Sequence, residues 1–527
     1  MQGFSCLYEK VCYYWNGCGI ATFRVWMRLI VSLRNRRETC LWHCSPLTAS
    51  CYEGSERVKQ PFFQLQLEKV AIFVVPLHVE KSRIISMQYS NKDIWNVSYP
   101  ILLALLAQNV INVTDTAFLG HVGEIELGAS AMGGLLYICI FTVAFGFSTG
   151  SQIMIARRNG EGRFRDVGPV MMQGCLFLLA MAAVLFGLCQ WSMPSVVRLL
   201  ISSDNIYDAT CEFLHWRMFG FFFSFVNVMF RALYVGITRT KVLTINAVVM
   251  ALVNVFLDYA LIFGHFGLPE MGLKGAAVAS VMAEAASFVF GVIYTWLYVD
   301  LKKYGLNRWP QWDGALLGRI LSISCFTMVQ YFISMATWFV FFMAVERLGE
   351  RELAIANIVR SIYIVLLIPV QALSTAANTL VSNLIGAGGI GGVMSLMKRI
   401  AKVSLAVVAV CVVLMVLFPK LFLSVYTNEA ALLTESVPSL YVIGVAMLVA
   451  AVANIYFNGI SGTGNTQAAL WLETSTLVVY GVYVFAVGWW AKAPVSVCFT
   501  TEILYYALLL IASLIYLKKA KWQNKRI

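Results

Sequence analysis

Twelve stretches of about 20 predominantly apolar residues succeed one another along this chain, each long enough to cross a hydrocarbon layer ~30 Å thick. No other feature limits the fold as strongly. In lipid no water meets an exposed backbone N–H or C=O, so each stretch must close its hydrogen bonds internally as a helix. The first six are expected at 95–119, 127–155, 167–191, 213–235, 243–263 and 272–298. The second six are expected at 316–345, 353–384, 400–423, 439–459, 468–490 and 494–517. The expected fold class is therefore an all-α integral membrane protein.

Composition agrees. Charged residues make up 13% of the 527, against about 25% in a typical soluble domain. Apolar residues make up 60%, and the mean hydropathy is +0.75. The formal net charge of +12 suggests nucleic acid in a soluble protein; in a membrane protein it reflects Lys and Arg held at the cytoplasmic face. No nucleic-acid partner is expected.

Residues 1–86 read differently. They hold six of the 13 cysteines and no uninterrupted apolar span, since Arg24 and Arg28 break the apolar piece there. Cys6, Cys12 and Cys18 lack the paired spacing of a zinc site. We expect this stretch to be an extension outside the native or ordered protein, with translation starting at Met87. The remaining organisation is a six-helix lobe at 87–299, a cytoplasmic linker at 300–314 containing Pro310, and a second lobe with a basic tail at 315–527.

Loop cations orient the bundle. Arg157, Arg158, Arg163 and Arg165 follow the second span, and Arg239 and Lys241 follow the fourth. Lys302, Lys303, Arg308 and Arg319 lie between the halves, while Lys398, Arg399 and Lys402 border the ninth span. The tail adds Lys518, Lys519, Lys521, Lys525 and Arg526. The opposite loops carry Glu124, Glu126, Asp204, Asp208 and Glu270. The positive-inside rule then puts both termini in the cytoplasm of a multi-pass protein of the cell (inner) membrane.

The halves repeat at an offset of 226. Gly123-Glu124-Ile125-Glu126-Leu127 matches Gly349-Glu350-Arg351-Glu352-Leu353, and Tyr137 matches Tyr363. Ser148-Thr149 matches Ser374-Thr375, Gly160 matches Gly386, and Gly236 and Thr240 match Gly462 and Thr466. With six spans per half, both halves insert in the same direction. That is a parallel repeat, with a cavity between two lobes and alternating access by rocking them.

Ionisable groups within the spans are costly, about 2.5–3.5 kcal/mol each on insertion scales. Asp115 is one, and it shares a helix face with Gln108 and Asn112. Pro100, earlier in that span, weakens the helix and permits a bend. In the fifth span Asn254 and Asp258 stand four apart and share a face. Such groups can simply satisfy one another and hold helices together. Two carboxylates with polar neighbours on inward faces point more strongly to a cation site.

These residues carry a family resemblance. The run from Pro100 to Asn112-Val113-Thr114-Asp115-Thr116-Ala117-Phe118-Leu119-Gly120 is similar to the multidrug and toxic compound extrusion (MATE) transporters. So are the Asn254/Asp258 pair, Ile262-Phe263-Gly264 with Met271-Gly272-Leu273-Lys274-Gly275-Ala276-Ala277, and Gly462-Thr463-Gly464-Asn465-Thr466. The resemblance covers residues 87–521, and the first- and fifth-span acids resemble its DinF-like branch. It implies twelve transmembrane helices in two parallel-repeat six-helix bundles. It implies a cation-coupled antiporter, with H+ or Na+ as the coupling ion and no other cofactor, that exports small organic and often cationic compounds. Asp115 would be the central proton acceptor, with Asn254, Asp258 and a hydroxyl from Ser280 around it. Gln108, Asn112, Pro100 and Asn227 would line or gate the cavity. The protein is expected to work as a monomer in the lipid bilayer.

One departure concerns coupling. The NorM-like branch has acidic residues in spans seven and ten, where this chain has Gln330, Ser334, Asn454 and Asn458, and the mate of Asp115 is Phe341. Coupling is therefore expected in the first lobe only. Arg360, Glu473 and Glu502 read as structural charges, and Glu284 stands between the two readings. The other function class is a flippase for a lipid-linked saccharide or similar amphiphile, with Arg217, Arg231 or Arg360 meeting a phosphate. These arginines lie near expected helix ends or alone. An enzyme is not expected. No His lies beside another metal ligand at metal-binding spacing, and the chain has neither a nucleophile elbow nor a phosphate loop.

Overall fold

The structure is a computed structural model that describes residues 89–520 except 202, 309–311 and 428, and also residues 522–524. The expected extension at 1–86 lies outside the described residues, as do Pro310, Lys521, Lys525 and Arg526. The described residues belong to one packed unit, His78–Ile527.

Among the described residues, twelve helices are long and apolar enough to span a membrane. In the first half they are α1 (Asn91–Val122), α2 (Glu124–Gly160), α3 (Phe164–Leu200), α4 (Asp204–Gly236), α5 (Lys241–Ile262) and α6 (Gly272–Tyr298). In the second half they are α7 (Gly314–Glu346), α8 (Glu350–Gly386), α9 (Ile390–Leu417), α10 (Ala430–Gly462), α11 (Thr466–Trp490) and α12 (Val495–Lys519). Local chemistry sets their starts. Ser90 and Asp93 form a reciprocal capping box on α1, with Ser90 N–H donating to Asp93 at 2.8 Å. Asp313 accepts from Ala315 and Leu316 N–H at the head of α7.

The internal repeat is visible in these bounds. α2 and α8 begin at 124 and 350 and end at 160 and 386; α4 and α10 run from 204 and 430 to 236 and 462. Several helices outrun their expected spans: α3 runs on to Leu200 rather than 191, α4 begins at Asp204 rather than 213, α10 begins at Ala430 rather than 439, and α9 runs from Ile390 to Leu417 rather than 400–423. Hydropathy marks only the part of a helix that meets lipid tails, and the first turns of α4 are polar. Arg217, expected near a helix end, consequently lies within the α4 span.

Large apolar side chains such as Trp191, Leu199, Val413, Leu417 and Trp490 stand exposed on the outer helices, where a lipid face is required. The lobes are zipped together at the end that carries the loop cations. There Ser324 and Thr327 of α7 donate to the carbonyls of Phe147 and Gly146 on α2, at 3.1 and 2.7 Å. Gln152 donates to Thr379 at 2.8 Å, Ser382 to the Ile153 carbonyl at 2.7 Å, and Asn159 to Asn383 at 2.7 Å. Arg399 reaches the Tyr89 carbonyl at 2.7 Å. Among the described residues, no hydrogen bond joins the lobes in the half nearer the opposite end.

The closest approach is a crossing of α2 and α8 that obeys the repeat. A Cβ on Gly160 would sit 2.0 Å from the Asn383 carbonyl oxygen, and one on its mate Gly386 would sit 2.4 Å from the Arg157 carbonyl oxygen. Asn383 is itself the mate of Arg157. Arg157 donates to the Thr463 carbonyl at the end of α10 (2.8 Å), and Asn383 donates to the Gly236 carbonyl at the end of α4 (3.1 Å). Each lobe thus places a glycine and a donor side chain against the other's backbone.

Candidate functional site

α1 and α5 pack against each other along the first lobe and bring the expected acids together. Asp115 lies against both Asp258 and Asn254. Asn254 and Asp258 are 1% and 0% exposed, and Asp115 is half-buried. The two side-chain polar atoms of Asn254, both carboxylate oxygens of Asp258 and Oδ1 of Asp115 make no hydrogen bond of normal geometry and have only one another for polar neighbours close enough to share a proton. Buried polar atoms are normally satisfied. Five unsatisfied ones in one place form a donor-poor, oxygen-rich pocket, with an amide oxygen and three carboxylate oxygens. A proton or a small hard monovalent cation fits that set.

The other expected residues take different places. Gln108 and Asn112 are exposed on the same face of α1 as Asp115. Pro100 is buried within α1, and its carbonyl accepts from Thr244 of α5 at 2.9 Å. Ser280, half-buried on α6, makes no hydrogen bond to Asp115, Asn254 or Asp258. Asn227 donates to the backbone carbonyl of Glu284 at 2.9 Å, which pins α4 to α6.

Beside the acids lies a buried ion pair that spacing alone does not reveal. Arg217 meets Glu284 at 2.6 Å, and both side chains are largely buried. Tyr137 of α2 donates to the Glu284 carboxylate at 3.1 Å, its oxygen accepts from the Ser224 hydroxyl at 3.0 Å, and its ring lies 3.7 Å beneath the Arg217 guanidinium. α4 tightens to a 3-10 turn at Met218–Gly220 just after Arg217. Gly220 leaves the room: a Cβ there would sit 2.3 Å from Glu284 Oε2 and 2.4 Å from an Arg217 nitrogen. Arg217 is also near enough to Asp115 to act on its charge, and its NH1 has no hydrogen-bonding partner. Its expected isolation is therefore corrected. Residues 67 positions apart form this pair, and only the packing of α4 on α6 brings them together.

The other arginines stand apart from it. Arg231 lies over the Phe145 ring at 4.8 Å, and Arg360 lies over the Phe342 ring at 4.8 Å. With Arg217 already neutralised by Glu284, the three do not form a phosphate cradle. Among the described residues no group of three or more His, Cys, Asp or Glu could hold a metal ion.

Comparison with known proteins gives the family and the fold. The MatE family profile matches residues 100–260 and 325–490, one stretch in each half and more than half of the chain together. A probable multidrug resistance protein NorM of Agrobacterium fabrum is 30% identical over 243 residues, covering 44% of this chain and 51% of the relative. Its namesake in Thermotoga maritima is 22% identical over 408 residues, covering 77% and 84%. In the first of these the chain spans about half the length of the relative it matches. A solved structure described as the outward-facing conformation of a multidrug resistance MATE family transporter superposes with a TM-score of 0.76. It is 16% identical and covers 82% of this chain and 97% of that one, a likeness of fold. This chain is a multi-pass membrane protein that belongs to the MatE family, a family of transporters and not of enzymes.

Proposed function

We propose that the protein is a cation-coupled antiporter, driven by protons, that exports small organic and often cationic compounds by alternating access. In this reading coupling sits in the first lobe, as in the DinF-like branch. The observation that carries it is the set of unsatisfied buried oxygens on Asp115, Asp258 and Asn254. An ionised carboxylate left there without a partner is expensive, and uptake of one cation removes that cost. Arg217 does not supply it, because Glu284 already holds that charge at 2.6 Å.

With the cation-rich end in the cytoplasm, the α2/α8 crossing closes the cytoplasmic side and the conformation is outward-facing. Proton uptake at Asp115 from outside then accompanies substrate release. Return to the inward-facing state delivers the proton to the cytoplasm. A one-for-one exchange of H+ for a monovalent cation moves no net charge and draws on the pH gradient alone, about 1.4 kcal/mol per unit. A second proton per turnover adds the membrane potential, about 2.3 kcal/mol per 100 mV.

The test is efflux of a fluorescent organic cation from proteoliposomes under an imposed pH gradient or an imposed sodium gradient. Efflux is expected with the pH gradient and is expected to disappear in Asp115→Asn while the protein stays folded. Retained efflux in that variant ends this reading. Efflux driven by sodium alone keeps the site and changes the ion.

A further inference from the structure

Each lobe pairs its copy of the repeated tyrosine with a glutamate, although the glutamates stand at different positions of the repeat (the mate of Glu284 is Leu510), and only the first lobe supplies the pair with a cation. Tyr137 of α2 donates to Glu284 of α6, and its repeat mate Tyr363 of α8 donates to Glu502 of α12 at 2.9 Å. In the first lobe Arg217 neutralises the carboxylate. Its mate at the same offset is Ile443, buried in the apolar core of the second lobe. Glu502 is instead surrounded by tyrosines. Tyr480 donates to it at 3.1 Å, and the Tyr363 hydroxyl also meets that of Tyr506 at 2.7 Å.

A second carboxylate lies in the same cluster. Glu473 of α11 accepts from Ser334 of α7 and from Tyr505 at 3.2 Å, while its Oε2 is buried with no hydrogen-bonding partner. Tyr505 and Tyr506 are consecutive on α12 with ring centroids 4.9 Å apart, and Tyr480 stacks edge-on to Tyr505 at 5.9 Å. Tyrosines thus bridge the two acids, each of which is 5% exposed.

Among the described residues, no cation pairs with either acid. From α7, Gln330, Tyr331 and Ser334 face Glu473; from α10, Asn454 approaches Tyr506. From α8, Arg360 shares a small cavity with Glu502, but its guanidinium lies over the Phe342 ring and makes no ion pair with either acid. Tyr331 is also near Arg231, across the lobe boundary. Hydroxyl donors orient a carboxyl group without cancelling its charge, so each acid is buried at low cost only while it carries a proton.

We propose that Glu473 and Glu502 form a second proton-binding site, in the C-terminal lobe, with Tyr363, Tyr480 and Tyr505 positioning the two carboxyl groups. Each carboxylate takes up one H+ to become a carboxylic acid and returns it when the lobe next meets water. The site goes beyond the coupling reading given for Asp115 and rests on it only for the consequence that more than one proton accompanies each substrate.

The experiment is infrared difference spectroscopy of the purified full-length protein in lipid, titrated across the physiological pH range. Carbonyl bands of protonated carboxylic acids are expected to lose intensity as pH rises. Glu473→Gln and Glu502→Gln should each delete one such band, and Tyr480→Phe should shift the Glu502 band while keeping it. Where a Gln variant does not fold, the Asp variant replaces it, and a displaced band is expected. Bands that do not titrate, or that are identical in wild type and variants, overturn the proposal. Asp115→Asn in the same assay should delete a different band. If that variant also keeps efflux, the coupling reading fails while the band assignment still decides this site.

Discussion

Replacing Gly160 by Ala should open the seal between the lobes, and the size of the effect follows from the crossing. The new Cβ would lie 2.0 Å from the Asn383 carbonyl oxygen, whereas ordinary contact begins at 3.4 Å. The helices must then part there by about 1.4 Å, since packed backbones have no flexible end to yield. A separation of that size breaks the Asn159–Asn383, Arg157–Thr463 and Ser382–Ile153 hydrogen bonds, now 2.7, 2.8 and 2.7 Å. At a net value of about 1 kcal/mol each, their loss costs the sealed state about 3 kcal/mol. That is roughly a hundredfold change in the equilibrium between sealed and open forms.

Spin labels at Glu124 and Glu350, the first residues of α2 and α8, would report it as a distance distribution in lipid. The wild type should show a dominant long distance, and Gly160→Ala should move population to a shorter one. Gly386→Ala should act in the same direction but less, because its Cβ starts 2.4 Å from the Arg157 carbonyl and needs about 1.0 Å to clear it. Gly318→Ala on α7, where a Cβ meets nothing within 4 Å, serves as the control. An unchanged distribution in Gly160→Ala, with the protein folded, refutes the view that this crossing holds the seal.

Three further outcomes follow from the first lobe and the surface. Arg217→Leu should destabilise the protein by about 3–5 kcal/mol by leaving Glu284 buried and unpaired, and adding Glu284→Gln should recover most of that loss; thermal unfolding in detergent reads both, and a double variant no better than the single contradicts the ion-pair account. Gly220→Ala should lower the melting temperature by forcing the same pair apart, whereas equal melting temperatures would mean the pair relaxes freely. Arg351 and Glu435 meet at 2.6 Å but are 48% and 45% exposed, so Arg351→Ala should change stability by less than about 1 kcal/mol, checked by the same melting assay.

Much of this architecture is legible in the sequence because lipid leaves so few solutions. Twelve apolar runs with an offset of 226 fix the helix number and the parallel repeat, and the i, i+4 spacing of Asn254 and Asp258 gives their shared face. The meeting of Asp115 with Asp258 was suggested only by resemblance, since 143 residues separate them and no local period links α1 to α5. The Arg217–Glu284 pair was hidden for a related reason. Arg217 falls in the first turns of the expected span at 213–235, where a charge reads as a helix-end residue, and the 3-10 turn at Met218–Gly220 beside it leaves no signature beyond Gly220. Tyr137 and Tyr363 give a partial signal: a repeated polar aromatic inside an apolar span asks for a polar partner in each lobe, but the partners, Glu284 and Glu502, do not match at the offset of 226 and so are not found from the repeat.

The repeat also explains where the halves stayed alike and where they diverged. A seal made by two lobes related by a pseudo-two-fold axis needs a self-complementary surface, because each side's contact is the other's image. Gly160 and Gly386 are both glycine for that reason, and Arg157 and Asn383, though different residues, each reach across to the carbonyl that ends the facing helix. No such rule governs the interior of each lobe, which packs only against its own helices. There Asp115 has become Phe341, Asn254 has become Tyr480, Asp258 has become Val484, and Arg217 has become Ile443. At the matching positions the second lobe has neither the first lobe's acids nor its cation, and its own tyrosine–glutamate pair draws the glutamate from a different position of the repeat. Its carboxylates now stand among hydroxyl groups instead of beside an arginine. The proton sites proposed for the two lobes differ in chemistry, and unequal proton affinities between them would let one conformational cycle move protons in a fixed order.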